Sequence, residues 1–322
     1  MSDRRPFGSS GLEVSPLCLG GNVFGWSADE EASHAVLDAY VAGGGNAIDS
    51  ANIYSGWAPG NEGGESEAII GRWLAGRDDR DDLVIATKVG KAAGAHRRGL
   101  ARDQVLRGAE GSLRRLGTDR NDLYYAHEDD AGTPLAETLA AFGELIDQGV
   151  VRAIAASNYP PVRIAEALAV SARDGLPRFA GVQDEYNLLD RDRYEGELEG
   201  LCTREGLGVA AYFALARGFL SGKYRPGAPI PDSPRATGVV GAYLNDRGIA
   251  ALEAVDAVAE AHGASEAQVA LAWVMARPSM TCAVASATSA EQARELAGAM
   301  DLVLSEEEMA RLNAVAAAPS RP

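Results

Sequence analysis

Four side chains of the sequence could together transfer a proton to a substrate oxygen: Asp49, Tyr54, Lys88 and His127. A free phenol has a pKa of about 10, too high for ready proton exchange near neutrality, but a neighbouring ammonium stabilises the phenolate. We therefore expect Lys88 to lower the pKa of Tyr54, and Asp49 to orient Lys88 and keep it protonated. His127 would donate a hydrogen bond to an oxygen on which negative charge develops. The set suits hydride reduction of a carbonyl, with Tyr54 delivering the proton, and the reverse oxidation of an alcohol.

Each of these side chains has an ordinary structural explanation when it is taken alone. An Asp at a strand end usually caps a turn, a Lys there is usually solvated, and a lone Tyr usually packs. Their placement favours chemistry, because Asp49, Lys88 and His127 end three successive predicted strands and Tyr54 follows the first of them. In a parallel barrel such strand ends meet at one mouth.

Short apolar or β-branched segments alternate with longer amphipathic stretches along the whole chain. Strands are predicted at 16–20, 46–49, 82–88, 122–127, 151–156, 180–183, 208–212 and 281–285. Helices are predicted at about 29–42, 65–75, 102–116, 134–147, 160–172, 195–205, 248–262 and 289–299, with further C-terminal helices at 265–276 and from 304. Eight βα units without a break in composition favour one α/β domain over residues 1–322, a closed (β/α)8 TIM barrel, rather than two doubly wound domains. A short N-terminal β-hairpin around 8–11 would precede the barrel.

Helix-capping patterns add local detail to these boundaries. Ser27 and Glu30 form a predicted capping box before the first helix, and Ser265 and Gln268 form another before the helix at 265–276. The pair Thr133-Pro134 is typical of an N-cap followed by the first helical residue. The longest non-repetitive segment, from 218 to about 245, contains four prolines and is predicted to be a structured loop over the barrel mouth.

Charge and composition exclude several classes of partner. The net charge is −16 and no Lys/Arg run interrupts the acidic background, which argues against nucleic acid and anionic membranes, so a small-molecule substrate is expected. The N-terminal residues lack the apolar stretch of a signal peptide, and no apolar run approaches the ~18 residues of a membrane span, so we expect a cytoplasmic protein. Three widely spaced cysteines, Cys18, Cys202 and Cys282, predict neither a disulfide framework nor a zinc site. No oligomeric state is predicted.

The sequence resembles the aldo-keto reductase superfamily over nearly its whole length. Seven matching pieces occur in the family's order, at 48–54, 86–88, 122–127, 149–154, 157–159, 182–189 and 218–224. The resemblance implies an NAD(P)H-dependent carbonyl reductase or alcohol dehydrogenase acting on an aldehyde, a ketone or a sugar-like substrate.

The chain has neither a G-x-G-x-x-G fingerprint after a strand nor a G-K-[ST] loop, so a Rossmann or P-loop nucleotide site has no support. The resemblance instead implies a nicotinamide dinucleotide that lies extended across the barrel mouth. By this resemblance Ser157, Asn158 and Gln183 bind the carboxamide, and Tyr212 stacks on the nicotinamide. The complete implied set is Gly21, Asn22, Ser157, Asn158, Gln183, Tyr212, Phe213, Ala214, Leu215, Arg217, Gly218, Lys223, Ser286, Thr288, Ser289 and Gln292.

The adenosine end decides between the two cofactors. Many NADP-preferring relatives carry a Lys or Arg in the segment that corresponds to 286–291, and this chain has none, Arg294 being the nearest cation. Ser289 and Gln292 form a predicted capping box whose free N–H groups could hold an anion. From the family's usual preference we expect NADP(H), with NAD(H) possible.

Four aromatic residues are predicted to form the substrate wall: Phe24, Trp26, Trp57 and Tyr159. Together they suggest a flat apolar or sugar-stacking surface. The cations Lys91, His96, Arg97 and Arg98 follow the third strand and could meet an anionic substrate, but a solvated loop is the favoured interpretation.

Two other functions compete with this hypothesis. The run 127–130, His-Glu-Asp-Asp, near Asp49 would suit a metal-dependent barrel hydrolase, but the chain has only four histidines and no metal is expected. The second is a barrel that binds a nicotinamide cofactor as a sensor or channel-associated regulatory subunit with little turnover. Retention of all four candidate catalytic residues argues against it.

Overall fold

The predicted strands pair in chain order and close into a barrel. The computed structural model describes residues 4–316. The hairpin strands are β1 (Arg5–Pro6) and β2 (Glu13–Val14); the barrel strands are β3 (Leu17–Gly20), β4 (Ala47–Asp49), β5 (Val84–Val89), β6 (Asn121–Ala126), β7 (Val151–Ser157), β8 (Gly181–Glu185), β9 (Gly208–Tyr212) and β10 (Cys282–Ala285). All neighbouring barrel strands are parallel, and β10 pairs with both β9 and β3. The predicted TIM barrel with an N-terminal hairpin is therefore confirmed.

Helices alternate with the strands and form the outer layer. They are α1 (Glu30–Ala42), α2 (Glu65–Leu74), α3 (Arg102–Leu116), α4 (Leu135–Asp147), α5 (Pro161–Asp174), α6 (Glu197–Glu205), α7 (Ala236–Tyr243), α8 (Asp246–His262), α9 (Glu266–Met275), α10 (Ala290–Gly298) and α11 (Glu306–Ala316). The segment 218–245, predicted to be a structured loop, contains α7 and most of a short 3-10 helix at Ala216–Ser221. Within residues 4–316, no helix has the length and apolar character needed to cross a bilayer.

The hairpin closes the end of the barrel opposite the predicted site. Phe7 is buried with the inward-facing residues of the strands, and its ring meets that of Tyr125 edge-on at 6.5 Å. Gly181 allows this approach, because a Cβ there would lie 2.5 Å from the Phe7 ring. The guanidinium of Arg5 fixes the hairpin by donating to the carbonyl of Met275 at 2.8 Å. Because the hairpin covers this end, the barrel is open at the carboxyl ends of its strands.

Two of the predicted helix caps are wrong. Helix α1 begins at Glu30, and the carboxylate of Asp29, not Ser27, accepts from Ala32 N at 2.9 Å. Ser27 lies in a turn that folds back on Val23, so its side chain does not reach the helix.

Helix α4 begins after Pro134 without a side-chain cap, because the Thr133 hydroxyl donates to Asp130 at 2.6 Å. The capping box of Ser265 and Gln268 before α9 is confirmed.

Candidate functional site

Lys88 is fully buried inside the barrel, near the carboxyl end of β5. Its ammonium donates to Asp49 Oδ2 at 2.6 Å, to the carbonyl of Ser50 at 2.8 Å and to the Tyr54 hydroxyl at 2.8 Å. An ammonium has three N–H donors, so every one of them is used within the protein. The fixed ammonium therefore holds Asp49 and Tyr54 at a common point.

The carboxylate of Asp49 is held from both sides. Its Oδ2 accepts from Lys88 and from the Tyr54 hydroxyl at 3.2 Å, and its Oδ1 accepts from Gln183 Nε2 at 2.9 Å. Gln183, implied as a carboxamide ligand, thus also orients Asp49 from the far side of the barrel. The hydrogen-bonded cluster is therefore built from residues of β4, β5 and β8 rather than from consecutive strands alone.

The pKa of Tyr54 moves in the direction opposite to the prediction. Burial raises the pKa of the phenol well above its usual value near 10, and the Asp49 carboxylate, which accepts its hydrogen bond, raises it further. Burial also lowers the pKa of Lys88, an effect that Asp49 partly offsets. Tyr54 is consequently a protonated phenol throughout the physiological pH range, which is the form that donates a proton.

His127 directly follows β6, and its ring centroid lies 6.1 Å from that of Tyr54 in an edge-on arrangement. Burial lowers the pKa of the imidazole well below 6.5, and the positive charges of Lys88 and Lys91 lower it further. The neutral ring has a buried Nδ1 without a hydrogen-bond partner among the described residues. The structure therefore brings all four predicted side chains to one point.

A cavity of about 1020 Å³ opens above this cluster. It is lined by Asp49, Tyr54 and His127 and by fourteen of the implied cofactor residues: Asn22, Ser157, Asn158, Gln183, Tyr212, Phe213, Ala214, Leu215, Arg217, Gly218, Lys223, Ser286, Thr288 and Gln292. Gly21 and Ser289 do not line it. Gly21 donates its N–H to the carbonyl of Asp49 at 2.8 Å, and the Ser289 hydroxyl caps α10. Both residues therefore stabilise the backbone next to the cavity and do not contribute to its surface.

The implied nicotinamide end is a connected set of polar side chains. Asn158 has a positive φ of 57° and donates to Ser157 Oγ and to the carbonyl of His127, both at 2.9 Å. Its Oδ1 accepts from the Tyr212 hydroxyl at 2.7 Å. A non-glycine residue in this conformation costs on the order of 1–3 kcal/mol and persists where its surroundings hold it, often at binding sites.

The segment after β9 shows the same kind of strain. Phe213, Ala216 and Arg217 have positive φ values of 52°, 48° and 57°, and Gly218 follows with 96°. The Arg217 guanidinium lies 4.8 Å above the Phe213 ring and 3.5 Å from the carboxylate of Glu185. The irregular backbone exposes this stretch to the cavity and presents Arg217 at its rim.

At the implied adenosine end only half of the predicted capping box forms. Ser289 Oγ accepts from Gln292 N at 3.3 Å, but Gln292 Oε1 accepts from Thr288 N at 2.9 Å instead of from Ser289 N. Gln292 therefore braces Thr288 at the edge of the cavity. Glu295 lines the same part of the cavity and adds a carboxylate there, while residues 286–291 contain no Lys or Arg.

Of the four residues predicted to form the substrate wall, the structure places two at the cavity and two in the core. Trp26 and Trp57 line the cavity with their rings edge-on at 5.6 Å, and Trp57 is 44% exposed. Phe24 is fully buried in the core, because the turn from Val23 to Ala28 points its ring inward. Tyr159 does not line the cavity either.

The ring of Tyr159 is 4% exposed and packs edge-on against that of Phe179 at 5.8 Å. Tyr159 immediately precedes the prolines that start α5, and its side chain belongs to the hydrophobic core.

Of two cavity-lining cations, the sequence did not indicate Arg235, and it favoured a solvated loop for Lys91. Arg235, at the start of α7, places its guanidinium 5.1 Å above the Trp26 ring. Lys91 also lines the cavity, contrary to the favoured solvated-loop interpretation, whereas Arg97 and Arg98 are exposed. Arg235 lies in the long segment that was predicted to cover the barrel mouth, so its position near the cavity could have been predicted. Because it lies far from β9 along the chain, the sequence did not indicate which side chain it would contact.

The acidic run considered for a metal is used by other partners. Glu128 pairs with Arg98, and Asp129 pairs with Arg163. Asp130 caps its own turn. Among residues 4–316, no group of three or more His, Cys, Asp or Glu side chains is arranged to hold a metal ion.

The fold and this site define a class: a parallel (β/α)8 barrel with a buried, hydrogen-bonded cluster of Asp49, Tyr54 and Lys88 beneath a cavity. Residues 16–317 match the Aldo/keto reductase family. The chain belongs to that family and is a nicotinamide-dependent oxidoreductase.

Relatives of similar length support this assignment. The chain is 34% identical to "Uncharacterized oxidoreductase YrpG" of Bacillus subtilis, with 97% of this chain and 95% of the relative covered. It is 34% identical to a "Probable voltage-gated potassium channel subunit beta" of Oryza sativa subsp. japonica, over 92% and 90% of the two chains. It is 33% identical to "Protein tas" of Escherichia coli, over 95% of each.

Proposed function

We propose that this protein reduces aldehydes or ketones with NADPH and catalyses the reverse oxidation of alcohols, with Tyr54 as the general acid and base. The observation that carries the proposal is the position of the Tyr54 hydroxyl, which lies 2.8 Å from Lys88 Nζ and 3.2 Å from Asp49 Oδ2 at the floor of the cavity. The raised pKa of Tyr54 keeps the proton on the phenol until a stronger base, the developing alkoxide, approaches it.

A bound nicotinamide supplies the hydride in this chemistry. The chain's own residues manage the oxygen of the substrate. His127 donates a hydrogen bond that orients the carbonyl and stabilises the negative charge growing on it. Tyr54 then transfers its proton to the oxygen, and the adjacent Lys88 ammonium stabilises the phenolate that remains. Asp49 positions Lys88 and offsets the cost of burying its charge.

The cavity suits an extended dinucleotide in size and in charge. Its volume of about 1020 Å³ is at the upper end of the roughly 300–1,000 Å³ typical of ligand sites. Lys223 and Arg235 have lowered pKa values because of burial and of nearby positive charge, and neither has a carboxylate within ion-pair distance among the described residues. A diphosphate beside Arg217, Lys223 and Arg235 would relieve this repulsion, while Ser157, Asn158, Gln183 and Tyr212 would hold the nicotinamide.

NADP(H) is the proposed cofactor, with NAD(H) as the alternative. The family's usual preference and the three cations Arg217, Lys223 and Arg235 support the more highly charged molecule, whereas Glu295 opposes it. The ratio of kcat/KM for NADPH and NADH tests this choice. A tenfold preference corresponds to about 1.4 kcal/mol, and a ratio that favours NADH would reverse the assignment.

A panel of aldehydes and ketones assayed with NADPH tests the proposed activity. We expect turnover of several uncharged aldehydes. We also expect oxidation of the corresponding alcohols with NADP+ at high pH. The second candidate is a regulatory subunit that binds the cofactor and turns over little, which the names of the rice and Arabidopsis thaliana potassium-channel relatives favour. Tight cofactor binding without turnover of any member of the panel would select this second function.

A further inference from the structure

Lys91 is a lysine whose charge the described protein does not use. It lies three residues after Lys88, lines the cavity and is about half-buried. Lys88 donates three hydrogen bonds, whereas Lys91 has no hydrogen bond and no ion pair to residues 4–316. Half-burying an ammonium without a partner is unfavourable, and burial accordingly lowers the pKa of Lys91.

The carboxylates that face Lys91 already have other partners. Glu128 pairs with Arg98 at 2.5 Å, and Asp184 pairs with Arg193 at 3.2 Å. The positive charges of Lys88 and Arg193 also act on Lys91, and both lower its pKa. The surroundings therefore supply no dedicated counter-ion, and a site for one anionic group remains at the cavity wall.

The order of the barrel strands puts this lysine on the substrate side of the mouth. Strands β5 and β9 are four positions apart in a ring of eight, so the loop carrying Lys91 lies opposite the segment that carries Arg217 and Lys223. The loops after β3 and β4, the two strands before β5 in the barrel order, carry the aromatic pair Trp26 and Trp57. The charge of Lys91 also lowers the pKa of His127, the group proposed to hold the substrate oxygen.

We propose that Lys91 is a specificity-determining residue that binds an anionic group, a carboxylate or a phosphate, on the carbonyl substrate. The proposal rests on the proposed reductase function. In a chain with a net charge of −16, an anion meets a repulsive field over most of the surface, so a local cation is needed to bind one. Arg217 and Lys223 would serve the phosphates of the cofactor, and Lys91 serves the substrate from the opposite rim.

The test compares matched aldehydes that differ in one charge. Succinic semialdehyde is paired with butanal, 4-carboxybenzaldehyde with its methyl ester, and glyceraldehyde 3-phosphate with glyceraldehyde. For the wild type we expect a higher kcat/KM for the charged member of at least one pair, and the pair concerned identifies carboxylate or phosphate. Lys91→Met should reduce kcat/KM for that charged substrate about 10- to 100-fold, mainly through KM, because a hydrogen bond to a charged group is lost.

Three comparisons keep the result specific. Lys91→Met should change kcat/KM for the uncharged partner far less than for the charged substrate. Lys91→Arg should restore most of the preference, and Arg97→Met, which removes an exposed cation from the same loop, should not alter it. Equal losses for charged and uncharged partners, or a preference that survives Lys91→Met, would overturn the proposal.

Failure of the reductase function can be distinguished from failure of this inference. Turnover of butanal and the methyl ester reports the reductase function alone, because these substrates carry no charge. If nothing is turned over, calorimetry on the protein loaded with NADP+ compares the binding of 4-carboxybenzaldehyde and its ester to wild type and Lys91→Met. Tighter binding of the acid that depends on Lys91 supports the anion site, and equal binding of acid and ester refutes it.

Discussion

Two adjacent residues of β5 enter two buried networks of opposite character. Lys88 points into the barrel and joins Asp49 and Tyr54, whereas Thr87 points outward and donates to Glu67 of α2 at 2.5 Å. Glu67 is fully buried and also pairs with Arg115 of α3. We call these the inner network (Asp49, Tyr54, Lys88) and the outer network (Glu67, Thr87, Arg115).

Both networks bury a carboxylate beside a cation, so an ion pair in the interior does not by itself mark a functional site. The difference lies in what the third member faces. In the inner network Tyr54 turns its hydroxyl to the cavity, and its proton can leave for a ligand. In the outer network no member lines the cavity, and the hydrogen bonds tie two helices to the barrel. The inner network therefore suits chemistry and the outer one suits stability.

The largest expected effect separates the two networks by activity. Tyr54→Phe removes only the hydroxyl and should lower kcat for carbonyl reduction by about 10²–10⁴-fold, the usual contribution of a general acid. Cofactor affinity should stay close to wild type, because the ring and its packing remain. The free energy of unfolding should fall by about 1–3 kcal/mol, because one N–H of the buried Lys88 loses its acceptor. Steady-state kinetics, fluorescence titration with NADPH and urea denaturation measure these three quantities. Near-wild-type kcat in this variant would remove Tyr54 from the mechanism.

The second prediction is a loss of stability in the outer network without a loss of activity. Glu67→Gln should lower the free energy of unfolding by about 3 kcal/mol, because it leaves the partly buried Arg115 without its carboxylate. The kcat of the folded fraction should change little. Urea denaturation measures the loss, and Glu253→Gln, an exposed carboxylate on α8, is the matched control. A stable Glu67→Gln variant with a large loss of kcat would contradict the division into two networks.

The sequence predicted the inner network better than the outer one for a physical reason. Strand periodicity and strand ends are local features, and a parallel barrel brings every strand end to the same mouth, so Asp49, Lys88 and His127 could be grouped without coordinates. The partnership of Thr87 with Glu67 depends on how α2 packs on β5, which no local pattern encodes.

The errors have a common origin in tertiary burial. Phe24 and Tyr159 follow strands, as Trp26 and Trp57 do, yet turn geometry directs their rings into the core. The sign of the pKa shift of Tyr54 was wrong because the cost of burial, invisible in the sequence, exceeds the effect of a nearby charge.

The third prediction concerns the pH dependence of reduction and oxidation, which tests the protonation state of Tyr54. Since the pKa of Tyr54 is raised above 10, its protonated form, the acid needed for reduction, persists as pH rises. The kcat/KM for reduction should therefore show no loss between pH 7 and about 10 that is due to this group. Alcohol oxidation needs the deprotonated form and should increase throughout that range. A decline of reduction with an apparent pKa below 9 would show that the bound cofactor reverses the effect of burial.

The smallest expected effect concerns His127, the neighbour of the inner network. Its pKa in the folded protein is lowered from 6.5, so between the folded value and 6.5 the unfolded chain binds more protons than the folded one. The contribution of His127 to the free energy of unfolding is therefore complete above about pH 6.5. Below that pH the free energy of unfolding decreases, by at most about 1.4 kcal/mol per pH unit. His127→Asn removes this titration, so the unfolding free energy of the variant should fall less steeply from pH 7 to 5. Parallel curves for the two proteins would mean that the imidazole is solvated enough to protonate in place, and its proposed role as a neutral hydrogen-bond donor would need revision.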